Sequence, residues 1–403
     1  MSAKLLVKNR NFRLLFSASA LTNLGDGLIL LALPWLASLM TRDPVAIAAV
    51  AAANRLPWLL FALPAGVVAD RVDRRRLIAR ADVVRAVLVA AIMVLALGNE
   101  SAGAMAVWAL AGLAFLLGAA EVLRDNAAQT VLPSIVAKDE LEAANGQLWS
   151  IEQLTGQFIG PPLAGVLIAA GVAVPFGVDA VALLLAAGLV WMIAIPAQQL
   201  SVAPFWAAMK EGIGYMRQDR LLLRLAVVLG CANFLATATI TVQVLFAQEV
   251  LGLGAAAYGV VLSVAAAGAI FGSLMAPRAV AWWGVQMCLY LSIGVWGLGY
   301  AFTGGTGSGV VMAVAQFGVM AAAMLWNVIT VSWRQRRIPA ELLGRVNGIY
   351  RCFGWGSMPL GALAGGAVVA LWEPSVGREL ALRMPFFLSA AGCAALLAYA
   401  VWR

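Results

Sequence analysis

The stretch Gly66-Val-Val-Ala-Asp70-Arg71-Val-Asp73-Arg74-Arg75-Arg76 joins two long apolar runs. It sets Gly66, Asp70 and four arginines in a link too short to be a domain. A soluble protein has no evident use for such a link between two membrane-length segments. A transporter does: the link can latch two helices on one membrane face and release them when the protein changes shape. The bland reading is an ordinary basic loop on the cytoplasmic side.

The runs on either side set the class. Of the 403 residues, 63% are hydrophobic and only 11% charged, with a mean hydropathy of +0.92. A soluble domain carries about 25% charged residues, so lipid must cover most of this surface. A spanning helix needs roughly 20 apolar residues, and about twelve such runs follow one another here. Abundant glycine and alanine suit helices that approach closely in lipid. Strands are not expected, because the runs are too long and lack period-2 alternation. The expected fold is an all-α membrane protein with twelve transmembrane helices.

The formal charge of +8 does not point to nucleic acid, because the basic residues sit in alternate connections between apolar runs. Cys231, Cys288, Cys352 and Cys393 stand singly inside apolar runs and imply neither a disulfide nor a metal. Histidine is absent, so no metal or other cofactor is expected and proton chemistry falls to carboxylates. The first apolar run reads as a retained helix rather than a signal peptide.

Helices are expected over 12–40, 45–69, 77–97, 104–123, 143–170 and 174–195, then 221–247, 256–277, 284–303, 309–333, 342–371 and 382–402. The polar patch Thr22-Asn23-Leu24-Gly25-Asp26-Gly27 is expected to break the first, and 124–142 reads as a polar connection. In 197–220, Phe205, Trp206, Met209, Ile213 and Met216 recur at helical spacing between Lys210, Glu211 and Arg217. That pattern predicts an amphipathic helix on the membrane surface. It separates a six-helix bundle over 1–196 from another over 221–403. With the N-terminus inside, the outer loops hold only Arg42, Arg378 and Arg383 among the basic residues. This bias puts both termini in the cytoplasm.

The halves repeat. Ala137-Lys-Asp-Glu-Leu-Glu-Ala-Ala-Asn145-Gly146 lies 202 positions before Pro339-Ala-Glu-Leu-Leu-Gly-Arg-Val-Asn347-Gly348, and a glycine-rich helix follows each. Two six-helix halves related by a membrane-normal axis form a transporter architecture with the substrate held between them.

Here the chain resembles the major facilitator superfamily over essentially its whole length. The family's loop between helices 2 and 3, Gly-x-x-x-Asp-Arg-x-Gly-Arg-Arg, is matched by Gly66, Asp70, Arg71, Arg74 and Arg75, with Asp73 standing for the inner glycine. In helix 5, Gly156-x-x-x-Gly160-Pro161-x-x-Ala164-Gly165 resembles the glycine-proline motif of the drug/proton antiporters. The stretch 334–348 is similar to the branch containing bacterial macrolide-efflux proteins and the enterobactin exporter. The resemblance implies a secondary active exporter in the bacterial plasma (inner) membrane. Its expected partners are protons, the lipid bilayer and a small amphipathic substrate, such as a drug, a secreted metabolite or a siderophore. It is expected to act as a monomer.

Several residues are candidates for chemistry. Asp70 is expected to meet the N-terminus of helix 11, where the helix dipole favours an anion. Arg71 and Arg74 are expected to pair with Glu121 or Asp125 at the inner end of helix 4. Asp26, flanked by Gly25 and Gly27, lies mid-helix, where an ionised carboxylate costs several kcal/mol unless paired or neutral. It reads either as the carrier of the coupling proton or as a structural hydrogen-bonding group. Arg55 needs an anion, and Asp26 is a reasonable partner. Asp82 and Arg85 share a helix face and can satisfy each other. Glu152 is the second proton or cation candidate, and Asp179 ranks lower, near an outer end open to water. Gly156, Gly160, Pro161 and Gly165 either seal the halves on the outer side or serve ordinary small-residue packing.

A lysophospholipid flippase of the same fold is the alternative. The lack of histidine and of a dense polar constellation argues against a membrane enzyme. The two-half repeat argues against a channel. No Gly-x4-Gly-Lys-Ser/Thr loop supports ATP-driven pumping.

Overall fold

The computed structural model describes residues 3–98, 104–137, 140–194, 213–338, 346, 349–350 and 352–402. No strand occurs among the described residues. The first eight helices are α1 (Ala3–Lys8), α2 (Arg10–Met40), α3 (Pro44–Arg71), α4 (Arg74–Leu97), α5 (Ala104–Ile135), α6 (Leu141–Glu152), α7 (Gly160–Ala170) and α8 (Val174–Trp191). The remainder are α9 (Arg220–Leu245), α10 (Ala255–Gly305), α11 (Gly309–Arg337), α12 (Met358–Val376) and α13 (Arg378–Trp402). π-Helical stretches occupy Gln153–Ile159 and Phe246–Val250.

Nine described helices have the length and apolarity to cross a membrane. One of them, α10, bends at Gly284, whose φ of 76° suits glycine and would strain another residue. Charge is carried within the apolar length of α4, by Arg80, Asp82 and Arg85. Proline explains the division of 141–170. Pro161 and Pro162 offer no backbone N–H and crowd the preceding turn, and the ladder adapts by widening ahead of them. The Gly160 N–H then bonds Thr155 O.

Two expectations about helix limits fail for one reason. The polar patch does not break α2, because Thr22 Oγ1 donates to Ala18 O (3.1 Å) and Asn23 Nδ2 to Ser19 O (2.7 Å). Nor does helix 4 end at 123: α5 runs on to Ile135, with Asn126 Nδ2 bonded to Val122 O at 2.8 Å and Arg124 buried. Polar side chains that bond their own helix or a neighbour do not terminate it. The amphipathic segment predicted over 205–216 lies outside the described residues except from 213, where 213–218 is helical. Asn347 and Gly348 of the repeat lie outside them as well.

Side-chain caps start several of the described helices. Asn9 caps α2 by accepting from Phe12 N (2.9 Å), and Asp219 caps α9 through Leu221 N (3.1 Å) and Leu222 N (3.2 Å). Asp73 caps α4 through Arg76 N at 3.2 Å. The aspartate that stands for the motif's glycine thus supplies an acceptor for an otherwise orphaned donor.

The chain divides into two compact units: Met1–Thr41 with Ala53–Ala203, and Arg42–Ala52 with Pro204–Arg403. One apolar core of the first gathers Phe12, Leu15, Ile78, Val131, Leu132, Ala186 and Val190 from α2, α4, α5 and α8. That of the second gathers Leu222, Leu225, Trp296, Tyr300, Val319, Trp326 and Tyr350.

Candidate functional site

A charge network lies inside the first unit, where α2, α4, α5 and α8 meet. Arg85 on α4 bonds Asp26 on α2 and stands 3.6 Å from Asp82. Arg124 on α5 stands 3.6 Å from the same Asp82, pairs with Asp125 at 3.0 Å and donates to Thr22 Oγ1 at 2.8 Å. The side chains of Asp82 and Arg85 are 0% and 2% exposed. That of Asp26 is 36% exposed. Two guanidiniums therefore hold a dry centre, and Asp26 is the acid at its open edge.

Asp179, six positions into α8, is fully buried, and neither carboxylate oxygen has a hydrogen-bond partner among the described residues. It presses on Gly25, where a Cβ would collide with the carboxylate. The expectation that water reaches Asp179 is therefore wrong. The glycine lets α2 close over that carboxyl.

Asp179 and Glu121 lie within electrostatic range of Arg85, and Glu152, though exposed, within range of Asp125, Arg124 and Asp26. Asp26, Glu152, Asp179, Glu121 and Asp125 thus form one neighbourhood. Arg55 is not the partner of Asp26: Arg85 takes that place, and Arg55 is exposed within range of Glu121. Asp125 pairs with Arg124. Arg75 donates to Ile193 O at 3.3 Å and sits 5.6 Å from the Trp191 ring, which ties α4 to the end of α8. Arg74 lies half-buried in the first turn of α4. The side chains of Gly66, Asp70 and Arg71 lie outside the described residues, so the latch expected of them does too.

The motif in 156–165 lies against α2. A Cβ on Gly27 would strike the Gly156 backbone, and one on Gly160 would come within 2.6 Å of Gly27 Cα. Pro161 and Gly165 are buried. This seam holds α2 against the π-helical stretch and fixes the turn that carries Asp26.

Sequence reading missed Arg124, because 124–142 looked like a loop. It also took Asp82 and Arg85 as a closed pair rather than as the hub that reaches Asp26. The available signal was the rarity of charge inside apolar helices.

A second charge cluster lies in the second unit. Arg378 bonds Glu249 at 2.8 Å, Glu373 at 2.9 Å and Arg42 O at 2.7 Å, while Arg42 reaches Gln248 at 2.9 Å and Glu249 at 3.4 Å. These residues border an open cavity of about 730 Å³.

Solved transporters share this arrangement of helices. A bacterial homologue of the iron transporter ferroportin, solved facing inward, matches with a TM-score of 0.76 at 16% identity, covering 97% of this chain and 98% of that one. A mutant of the nucleoside transporter NupG matches with a TM-score of 0.75 at 15% identity, covering 98% and 99%. The transmembrane secretion effector family matches residues 3–401, and the chain belongs to that family. The multidrug efflux pump Tap of Mycolicibacterium fortuitum is 29% identical over 160 residues. That match spans 39% of this chain and 38% of the pump, under two thirds of its length. The protein is a multi-pass membrane transporter of the major facilitator type.

Proposed function

We propose that the protein is a secondary active exporter that exchanges protons for a small amphipathic substrate by alternating access. The charge balance of the first unit carries this reading. Asp26, Asp82, Glu121, Asp125 and Asp179 gather around two cations that are buried among the described residues, Arg85 and Arg124. In a desolvated site an unpaired carboxylate is costly, so such a cluster binds protons. Asp26 exchanges them at the accessible edge, and Arg85 couples its state to Asp82 behind it. Glu152 is the exposed acid that a cationic substrate meets first. The likeness to the multidrug efflux pump Tap supports export of drugs, and a secreted metabolite or siderophore is the other substrate the proposal includes.

The same proposal includes twelve crossings in two six-helix halves, both termini in the cytoplasm, and a monomer in the bacterial inner membrane. Gly66, Asp70, Arg71 and Arg74 form its inner latch. The test is transport by the reconstituted protein across a panel of amphipathic compounds, with and without an imposed proton gradient. Substrate-dependent proton release supports the antiporter. Gradient-independent movement of lysophospholipid, with no proton release, overturns it in favour of a flippase.

A further inference from the structure

A cavity of about 340 Å³ opens in the second unit between the start of α9, the second limb of α10 and the ends of α11 and α13. Its inner wall is apolar and buried: Leu225, Val228, Ile293 and Ile329 are all under 9% exposed. Its rim is exposed at Leu221, Val285 and Tyr399. The volume lies within the usual range for ligand pockets, about 300–1,000 Å³.

The polar groups of this cavity are mostly donors, and two of them are unused. Arg224 is half-buried in the lining and makes no ion pair or side-chain hydrogen bond among the described residues. Trp326 is 3% exposed, and its indole N–H has no acceptor among the described residues. Three other groups are engaged: Gln286 donates to Tyr290 Oη (2.7 Å), Tyr290 to Ala400 O (3.0 Å) and Thr330 to Trp326 O (3.0 Å). No carboxylate lines the cavity among the described residues. A buried donor without a partner costs free energy, and a guanidinium offers five N–H groups and no acceptor. The complement is an anionic, acceptor-rich head with an apolar tail.

The surroundings indicate the source of such a molecule. Trp282 and Trp283, 66% and 55% exposed, precede the rim residue Val285 in the chain, and aromatic side chains of this kind settle at headgroup depth. Arg337 bonds Asp219 at 2.6 Å and so brings the end of α11 to the start of α9. Arg217, Arg220 and Arg337 are exposed at this same end. Basic residues on one membrane face attract anionic lipid.

We propose that this cavity is a binding site for an anionic phospholipid of the adjacent leaflet. Arg224 and the Trp326 N–H hold the phosphate end, and one acyl chain lies along Leu225, Val228 and Ile293. The site is separate from the proton cluster and does not depend on the transport reading.

Native mass spectrometry of the purified full chain tests it, with phosphatidylglycerol and phosphatidylcholine of identical chains as probes. A single phosphatidylglycerol adduct is expected, about tenfold tighter than phosphatidylcholine. Arg224→Gln abolishes the preference. Trp326→Phe, which keeps the ring and removes the donor, weakens the adduct several-fold. Millimolar inorganic phosphate leaves the adduct in place. Equal binding of the two lipids, an unchanged preference in Arg224→Gln, or displacement by phosphate alone would each overturn the proposal. If Arg224→Gln does not elute as a folded species, Leu289→Trp decides, because it fills the cavity from an apolar wall. Loss of the adduct then supports the site, and persistence refutes it.

Discussion

In the first unit α2 meets the π-helical stretch and α7 where Gly27 faces Gly156 and Gly160. In the second, α9 meets α12 where Gly361 faces Phe234 O and Gly365 faces Ala238 O. The backbone contact is of one kind, but the side chains behind it differ. The first unit places Asp82, Arg85, Arg124 and Asp179 out of contact with water. The second fills the same role with Trp296, Tyr300, Trp326 and Tyr350, and its Thr237 and Thr241 bond back within their own helix. Its buried cation Arg334 sits 3.7 Å from the Tyr350 ring. Small residues therefore build a common scaffold in lipid. The buried side chains cluster as ionisable groups in one half and as aromatic rings in the other.

The widest gap between the units should come from removing a buried charge. Asp82→Ala leaves Arg85 and Arg124 without their shared carboxylate, at a cost of about 3–5 kcal/mol. Thr330→Val removes one neutral hydrogen bond from the second unit, at about 1 kcal/mol. Thermal unfolding of the purified variants checks both, and equal losses would erase the contrast.

The shared seam is tested by paired substitution. Gly27→Val and Gly361→Val each drive a side chain into a facing backbone carbonyl, and overpacking of this kind costs about 1–3 kcal/mol. Both should lower the midpoint of unfolding. A loss confined to one would show that the two contacts are not equivalent.

The smallest effect belongs to Asp219. Burial alone would raise its pKa, but the hydrogen bond from Arg337, with those from Leu222 N and Leu221 N, holds it below the ordinary carboxylate range. A depressed folded value contributes stability above the unfolded pKa, about 3.9, and loses it as pH falls through the lower folded value. Asp219→Asn keeps a capping oxygen and drops the charge. Its slight deficit in unfolding temperature should be full at neutral pH, begin to shrink below about pH 4 and vanish only below the folded pKa.

The glycine seams were legible in the sequence, because close approach in lipid requires small residues at helical spacing, and Gly156, Gly160 and Gly361 supply them. Asp26 stood out for the same reason any intramembrane carboxylate does. Arg124 was not legible. It lies in a polar run, and whether such a run is a loop or a helix depends on Asp82, more than forty positions away. Asp179 was misjudged because its burial depends on Gly25 of another helix. Asp73 read as a departure from a motif, whereas its use as a cap follows from the helix that begins after it.

Proton coupling through the first unit is tested most directly by Asp26→Asn in proteoliposomes, comparing gradient-driven uphill transport with substrate exchange at equal pH. The substitution keeps the size of the side chain and removes its capacity to exchange a proton. Uphill transport should fall to background while exchange persists and the protein stays folded. Undiminished uphill transport in that variant would contradict the assignment.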